Sequence, residues 1–266
     1  MFKTVFKTAL LVALAISISA CNGIEASPSA KNEGSHLQSI IKKGTLVLGT
    51  SGNMTPMTRS INSGKDAIGF DIDLAKTMAE SMGVDLEIKV IAFEKLIPAL
   101  ENGEIDIIVS NMTITPKRNA QVAFIGPYMT SGKCLVTKDP TLASLKKEAL
   151  NNASNKLVVL KGTTTEKFVK IGMPKVNAVV VNTQEEAIAM VRDSKVSGML
   201  SEYPMCKAII SNNPDEFVSV FSNLTYEPIG IAVAPQNTHL LNWTQNFLVR
   251  ANNVGLFEML AEKWFK

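Results

Sequence analysis

From Gly44 onward the chain alternates apolar strand-like runs with helical periodicity, and that alternation runs twice. Thr45–Leu48, Leu86–Ile91 and Ile105–Val109 read as buried strands. Between them Leu74, Ala75, Met78, Ala79 and Met82 recur at helical spacing, with Asp71 as a cap and Gly83 as the stop. Leu96, Ile97 and Leu100 mark a second helix closed by Gly103. The rhythm restarts with strands at Leu157–Leu160, Ala178–Val181 and Gly198–Leu200. Helices are expected at Thr164–Ile171, around Ala187, Ile188 and Val191, and through Ile209 and Ile210. Such repeats need a mostly parallel sheet covered on both faces, and two of them imply an α/β chain with two lobes. Asn237–Lys266 reads as two apolar-faced helices broken at Gly255.

Two extended stretches can cross between the lobes, Pro127–Lys133 and Tyr226–Ile231. The expected division is lobe 1 over residues 39–130 and 229–266 and lobe 2 over 131–228. Two crossings make a hinge, and a ligand would then sit between the lobes outside the carboxyl ends of the strands.

The amino terminus predicts export. Lys3 and Lys7 precede an apolar run from Ala9 to Ile18 and the small residues Ser19 and Ala20, the pattern of a secretory signal over residues 1–20. The run is too short to span a bilayer. Cys21 follows directly, and Ile18-Ser19-Ala20-Cys21 resembles the lipobox of bacterial lipoproteins, which implies acylation of Cys21 and a membrane anchor. Ser, Pro, Ala, Asn and Gly dominate the next residues, so residues 21–38 are expected to carry the lipid and a flexible tether.

The full chain carries 27 Lys and Arg against 24 Asp and Glu, a formal charge of +3. Losing Lys3 and Lys7 with the signal leaves +1, which gives no electrostatic case for nucleic acid. Cys134 and Cys206 form an even pair in an exported chain, which favours a disulfide over two buried thiols. His36 and His239 lie in dissimilar places, so no metal spacing exists, and no cofactor motif or nucleophile elbow is present. The 12 Met residues are scattered and read as core.

Chemistry concentrates in Ser110-Asn111-Met112-Thr113-Ile114-Thr115-Pro116-Lys117-Arg118, at the end of a buried strand. Thr115 and Pro116 read as an N-cap and first helical position. Hydroxyls, backbone N–H groups and the Arg118 guanidinium would gather there, a set suited to a small carboxylate. Gly162-Thr163-Thr164-Thr165-Glu166 offers a second such turn in the other lobe, with Thr163 and Glu166 at capping-box spacing.

These segments, with Gly69-Phe70-Asp71-Ile72-Asp73-Leu74-Ala75, Leu96-Ile97-Pro98-Ala99-Leu100 and Glu262-Lys263-Trp264-Phe265, resemble the periplasmic amino-acid-binding proteins of ABC transporters, solute-binding family 3. The match is in order over roughly residues 40–266. It implies a type II periplasmic-binding-protein fold, capture of an amino acid between closing lobes, and delivery to a permease. It further implies a monomer without catalytic residues, outside the cytoplasm. In the family the Arg of the pattern grips the ligand α-carboxylate, here Arg118, helped by Thr113, Thr163 and Thr164. Ser110 would serve the α-ammonium, with Asn111 beside it. Glu202 stands where the family usually has Asp, and it could reach the α-ammonium or the ligand side chain. Met54 and Met57 replace the frequent stacking aromatic, and Phe93 and Tyr128 could line the pocket or the core. Since no spare acid pair is evident, a neutral ligand is expected. The same fold resembles the cyclohexadienyl dehydratases, an alternative in which Glu202 would be the cleft acid. A ligand sensor for a membrane receptor would use the same closure.

Overall fold

The computed structural model describes residues 35–145, 147–220 and 225–265. The expected signal peptide, Cys21 and the tether as far as residue 34 lie outside them.

The strands are β1 (Thr45–Thr50), β2 (Asn53–Met54), β3 (Thr58–Ile61), β4 (Asp66–Ile68), β5 (Asp85–Val90), β6 (Ile107–Ile108) and β7 (Ala123–Ser131). They continue with β8 (Lys133–Thr137), β9 (Lys156–Leu160), β10 (Asn177–Val181), β11 (Gly198–Glu202), β12 (Val218–Val220) and β13 (Glu227–Val233). One five-stranded sheet has the order β5-β1-β6-β13-β7 and a second the order β10-β9-β11-β8-β12. In the first, β5, β1 and β6 pair parallel, while β13 is antiparallel to both β6 and β7. In the second, β10, β9 and β11 pair parallel, while β8 is antiparallel to both β11 and β12. Four strands in each sheet therefore run one way, and the reversed strand is the one that comes from the crossing. The three short strands β2, β3 and β4 make a separate sheet that the periodicity did not announce.

The crossings fall at Gly132, between β7 and β8, and ahead of β13, whose Glu227 pairs with Ser131. Ser131, Glu227 and Pro228 thus belong to strands of the first sheet, although residues 131–228 were expected as the second lobe. A helix at His36–Lys43 also starts inside the expected tether. Ser35 accepts from Gln38 N, and the Gln38 side chain accepts from Ser35 N, so a complete capping box begins that helix.

The expected helices form at Phe70–Met82, Leu96–Glu101, Pro116–Asn119, Thr164–Gly172, Gln184–Arg192 and Tyr203–Asn212, and the tail forms Thr238–Asn253 and Leu256–Phe265. Gly83 closes the first of these in the left-handed region at φ 71°. Its start differs from expectation, because Gly69 rather than Asp71 is the N-cap. A Cβ at residue 69 would stand 2.2 Å from the Met57 carbonyl oxygen, so only glycine lets the helix enter so close to the β2–β3 turn. Asp71 is instead fully buried in the first helical turn. The strand expected at Ile105–Val109 is regular only at Ile107 and Ile108; Asp106 and Val109 still donate backbone bonds to β1, and the Asp106 carboxylate takes Val47 N.

Cys134 on β8 and Cys206 on the Tyr203–Asn212 helix are joined by a disulfide with Cα atoms 6.4 Å apart. The bond ties that helix to the sheet at the residue after Lys133. Both sulfurs lie in the core, together with Met199, Met205 and Phe217.

Candidate functional site

Four carboxyl-end features of the strands meet between the two sheets: the 110–118 segment after β6, the 162–164 turn after β9, Glu202 at the end of β11, and the paired crossings.

In the first, Thr115 caps the short Pro116–Asn119 helix by accepting from Arg118 N at 3.2 Å. That cap turns the Arg118 side chain back along the segment. Its Nη1 donates to the Thr113 carbonyl (3.0 Å) and its Nη2 to the Gly162 carbonyl of the opposite lobe (3.2 Å). The guanidinium lies 5.2 Å over the Phe93 ring. Burial pulls the Arg118 pKa below its usual value, while the Glu202 and Glu227 charges act in the opposite direction. Among the described residues no carboxylate forms an ion pair with it. Arg118 is a partly desolvated cation held by carbonyl oxygens, which carry dipoles but no charge.

In the second turn Thr163 caps the Thr164–Gly172 helix by accepting from Glu166 N. The Glu166 carboxylate reaches Gly162 N at 2.7 Å, so the reciprocal half of the capping box lands one residue early. Thr164 is left facing the cleft, its Oγ 3.4 Å from Thr113 Oγ.

Between the lobes lie three buried charged residues, Lys133, Glu202 and Glu227, with relative exposures of 1, 5 and 7%. Lys133 and Glu202 are cross-strand partners in the β8–β11 ladder, and Glu227 starts β13. Lys133 Nζ donates to Thr164 Oγ (2.7 Å) and Glu202 Oε1 (3.0 Å), and Glu227 Oε1 lies 3.2 Å away. Two of the ammonium N–H bonds thus have acceptors in Thr164 and Glu202, and Glu227 adds its charge as an ion pair. Glu202 Oε2 accepts from Asn111 Nδ2 at 2.7 Å, and Glu227 accepts from Thr164 at Oε2 and Thr225 at Oε1. All four carboxylate oxygens are bonded, as charges at this depth require.

Behind Asn111 stands a third buried acid. Asp71 accepts from Asn111 N (2.6 Å) and the Tyr128 hydroxyl (2.8 Å). Burial pushes its pKa up to about 7, against a smaller lowering from those two donors. Burial, with the neighbouring Asp71, holds the Tyr128 phenol well above its usual range. Asn111 itself is in the left-handed region at φ 47°, which lets its backbone serve Asp71 while its side chain serves Glu202.

The structure thus brings together Asn111, Thr113, Arg118, Thr163, Thr164, Glu202, Met54 and Phe93. Met54 lies 3.9 Å from Asn111 Nδ2 through its sulfur. Three expected residues turn elsewhere. The Ser110 hydroxyl accepts from Ser51 N within the first lobe. Met57 is fully buried, and its carbonyl accepts from Asp71 N. Tyr128 stacks near Phe70 and points at Asp71. Sequence reasoning missed Lys133 and Glu227 as site residues, read Asp71 as a cap rather than a buried acid, and found no spare acid pair. Glu202 and Glu227 are that pair. The available signal was one charge of opposite sign in each crossing, Lys133 and Glu227, since crossings that pair side by side bring such charges together.

The lobes are closed on each other. Asn53 Nδ2 donates to the Asn182 carbonyl and Gln184 Nε2 to the Thr55 carbonyl, in addition to the Asn111–Glu202 and Arg118–Gly162 bonds. A cavity of only about 10 Å³ remains beside Met54, Glu202 and Met205. A groove of about 640 Å³ opens outside it, along Phe93, Arg118, Thr163 and Thr164.

The chain is 28% identical over 219 residues to ABC transporter arginine-binding protein 1 of Escherichia coli, covering 79% of this chain and 86% of that protein. It is 25% identical over 249 residues to the cyclohexadienyl dehydratase of Pseudomonas aeruginosa, covering 93% and 92%. The crystal structure of the ancestral amino acid-binding protein AncCDT-1, a precursor of cyclohexadienyl dehydratase, superposes with a TM-score of 0.80 at 36% identity. It covers 86% of this chain and 99% of that one. These structural neighbours are two-lobed, as the paired sheets here are. Residues 46–266 match one family along their whole length, and the chain belongs to the bacterial extracellular solute-binding proteins, family 3.

Proposed function

We propose that this protein captures an amino acid outside the cytoplasm and presents it, in the closed form, to the permease of an ABC importer. The observation that carries the reading is Arg118, a cation in the cleft mouth bonded to carbonyls from both lobes. An α-carboxylate offers the same two-pronged acceptor geometry with a full negative charge, so it displaces carbonyl oxygens from a guanidinium. Thr113 stands within the same mouth, and Thr163 and Thr164 open a helix there whose first backbone N–H groups can add donors. Contacts to both lobes are what convert binding into closure, because a ligand shifts the open–closed balance only through its differential affinity. The extracellular family supports export, and the Cys21 motif supports a lipid-anchored form with residues 1–20 removed.

The lyase alternative needs a cleft acid that can give up a proton to a leaving hydroxyl. Glu202 is poorly placed for that, since its two oxygens face the Lys133 ammonium and the Asn111 amide. We therefore assign a binding protein rather than an enzyme.

The test is a thermal-shift screen of the full chain, unfolded and refolded to strip carried ligand, against the amino acids plus arogenate and prephenate. A ligand at one hundred times its dissociation constant adds about 2.7 kcal/mol of stability. Arg118→Ala abolishes that shift while circular dichroism of the free protein is unchanged. An unchanged shift in Arg118→Ala removes the site assignment, and consumption of arogenate or prephenate favours the lyase.

A further inference from the structure

We propose that Lys133 is a specificity residue, a built-in cation that occupies one equivalent of the Glu202–Glu227 acid pair and restricts the cleft to amino acids with a single ammonium. The inference rests on the amino-acid reading above. Its basis is charge arithmetic in a site with little water. A zwitterionic amino acid brings one carboxylate, which Arg118 balances, and one α-ammonium, which needs one acid. An amino acid with a cationic side chain needs two. The cleft holds two acids, Glu202 and Glu227, but Lys133 contacts both at 3.0 and 3.2 Å and neutralises one charge of the pair. One acid equivalent is left. A second ligand cation would be buried without compensation, the costliest arrangement for a charge.

The position of Lys133 supports this role over a purely structural one. Its Nζ shares Thr164 with the carboxylate end of the site, because Thr164 Oγ also lies 3.4 Å from Thr113 Oγ, whose residue holds Arg118 through its carbonyl. The ammonium thus stands within one side chain of the Arg118 anion site. Its backbone is fixed by the crossing on one side and by the Cys134 disulfide on the other, so the cation is placed by rigid elements.

The experiment is isothermal titration calorimetry of the full chain and three variants with glutamine, the other neutral amino acids, arginine and lysine. The wild type binds a neutral amino acid about 100-fold more tightly than arginine or lysine. Lys133→Met frees the second acid and gains at least about tenfold in affinity for arginine or lysine. Glu227→Gln keeps the lysine but leaves no acid for the α-ammonium, so the neutral ligand weakens at least about tenfold. The double variant Lys133→Met, Glu227→Gln restores one acid with no internal cation, and with it the wild-type preference. That double variant keeps the wild-type charge balance, so it remains a folded test if Lys133→Met alone does not fold. Wild type that binds arginine or lysine as tightly as neutral amino acids overturns the inference and leaves the amino-acid reading standing. Failure of the double variant to rescue Glu227→Gln overturns it too. Wild type that binds no amino acid overturns both.

Discussion

Asp71 and Glu202 are both buried carboxyl groups, and Asn111 touches each of them, one through its backbone and one through its side chain. Their company differs in one respect. Asp71 meets an amide N–H and a phenol, both neutral donors, and burial still drives its pKa up to about 7. Glu202 and Glu227 share the Lys133 ammonium. Neutral hydrogen bonds satisfy lone pairs without supplying charge, so a carboxyl group that has only those holds its proton more firmly. An ammonium supplies the charge but must itself be buried. The chain uses the first solution inside one lobe and the second between the lobes.

Removing the cation from the second cluster gives the largest effect. Lys133→Met leaves two buried acids facing each other and is expected to cost roughly 3–5 kcal/mol in urea unfolding. Most of that loss is recovered in the double variant with Glu227→Gln. A loss below about 1 kcal/mol would place this cluster with exposed ion pairs, which contribute little.

Asp71 makes the opposite prediction in pH. Between its ordinary 3.8 and about 7 the folded chain holds a proton there that the unfolded chain has lost. Stability from this group is therefore complete below about pH 4 and is lost as pH rises to about 7, roughly 4 kcal/mol across the window. Asp71→Asn keeps the size and acceptor and should flatten that slope. Unfolding free energies measured at pH 4, 5, 6 and 7 decide it, and an unchanged slope in the variant would falsify the buried-neutral assignment.

Asn111→Gly tests whether the clusters act separately. It keeps the positive φ and the backbone bond to Asp71 while deleting the amide on Glu202, for an expected loss of about 1 kcal/mol. Combined with Asp71→Asn, the two losses should add to within about 0.5 kcal/mol. A larger coupling would mean that the two clusters form one hydrogen-bonded network.

Much of this was legible beforehand in particular residues. Thr115-Pro116 and Thr163 with Glu166 announced two helix starts because caps and Pro act within one turn, and both helices begin there. Gly83 and Gly255 announced breaks for the same local reason. Arg118 was found because it shares a nine-residue segment with its surroundings. Asp71 was misread as a cap, since its spacing allows one, and only the packing of Tyr128 and Asn111 around it shows a buried acid. Tyr128 was left open between pocket and core and Met57 was placed in the pocket; both lie in the core.

The sequence by itself determined the two α/β repeats, the crossing segments, the capped helix starts at Thr115 and Thr163 and the Arg118 segment, because propensity, capping and hydrophobic period are properties of neighbouring residues. Only the tertiary structure decided that Lys133 on β8, Glu202 on β11 and Glu227 on β13 form one cluster. Those residues stand 69 and 94 positions from Lys133 at one sheet end and one crossing. Charge compensation depends on distances of about 3 Å in a medium without water. No local pattern in the chain encodes such a distance; the reversal of one strand in each sheet does.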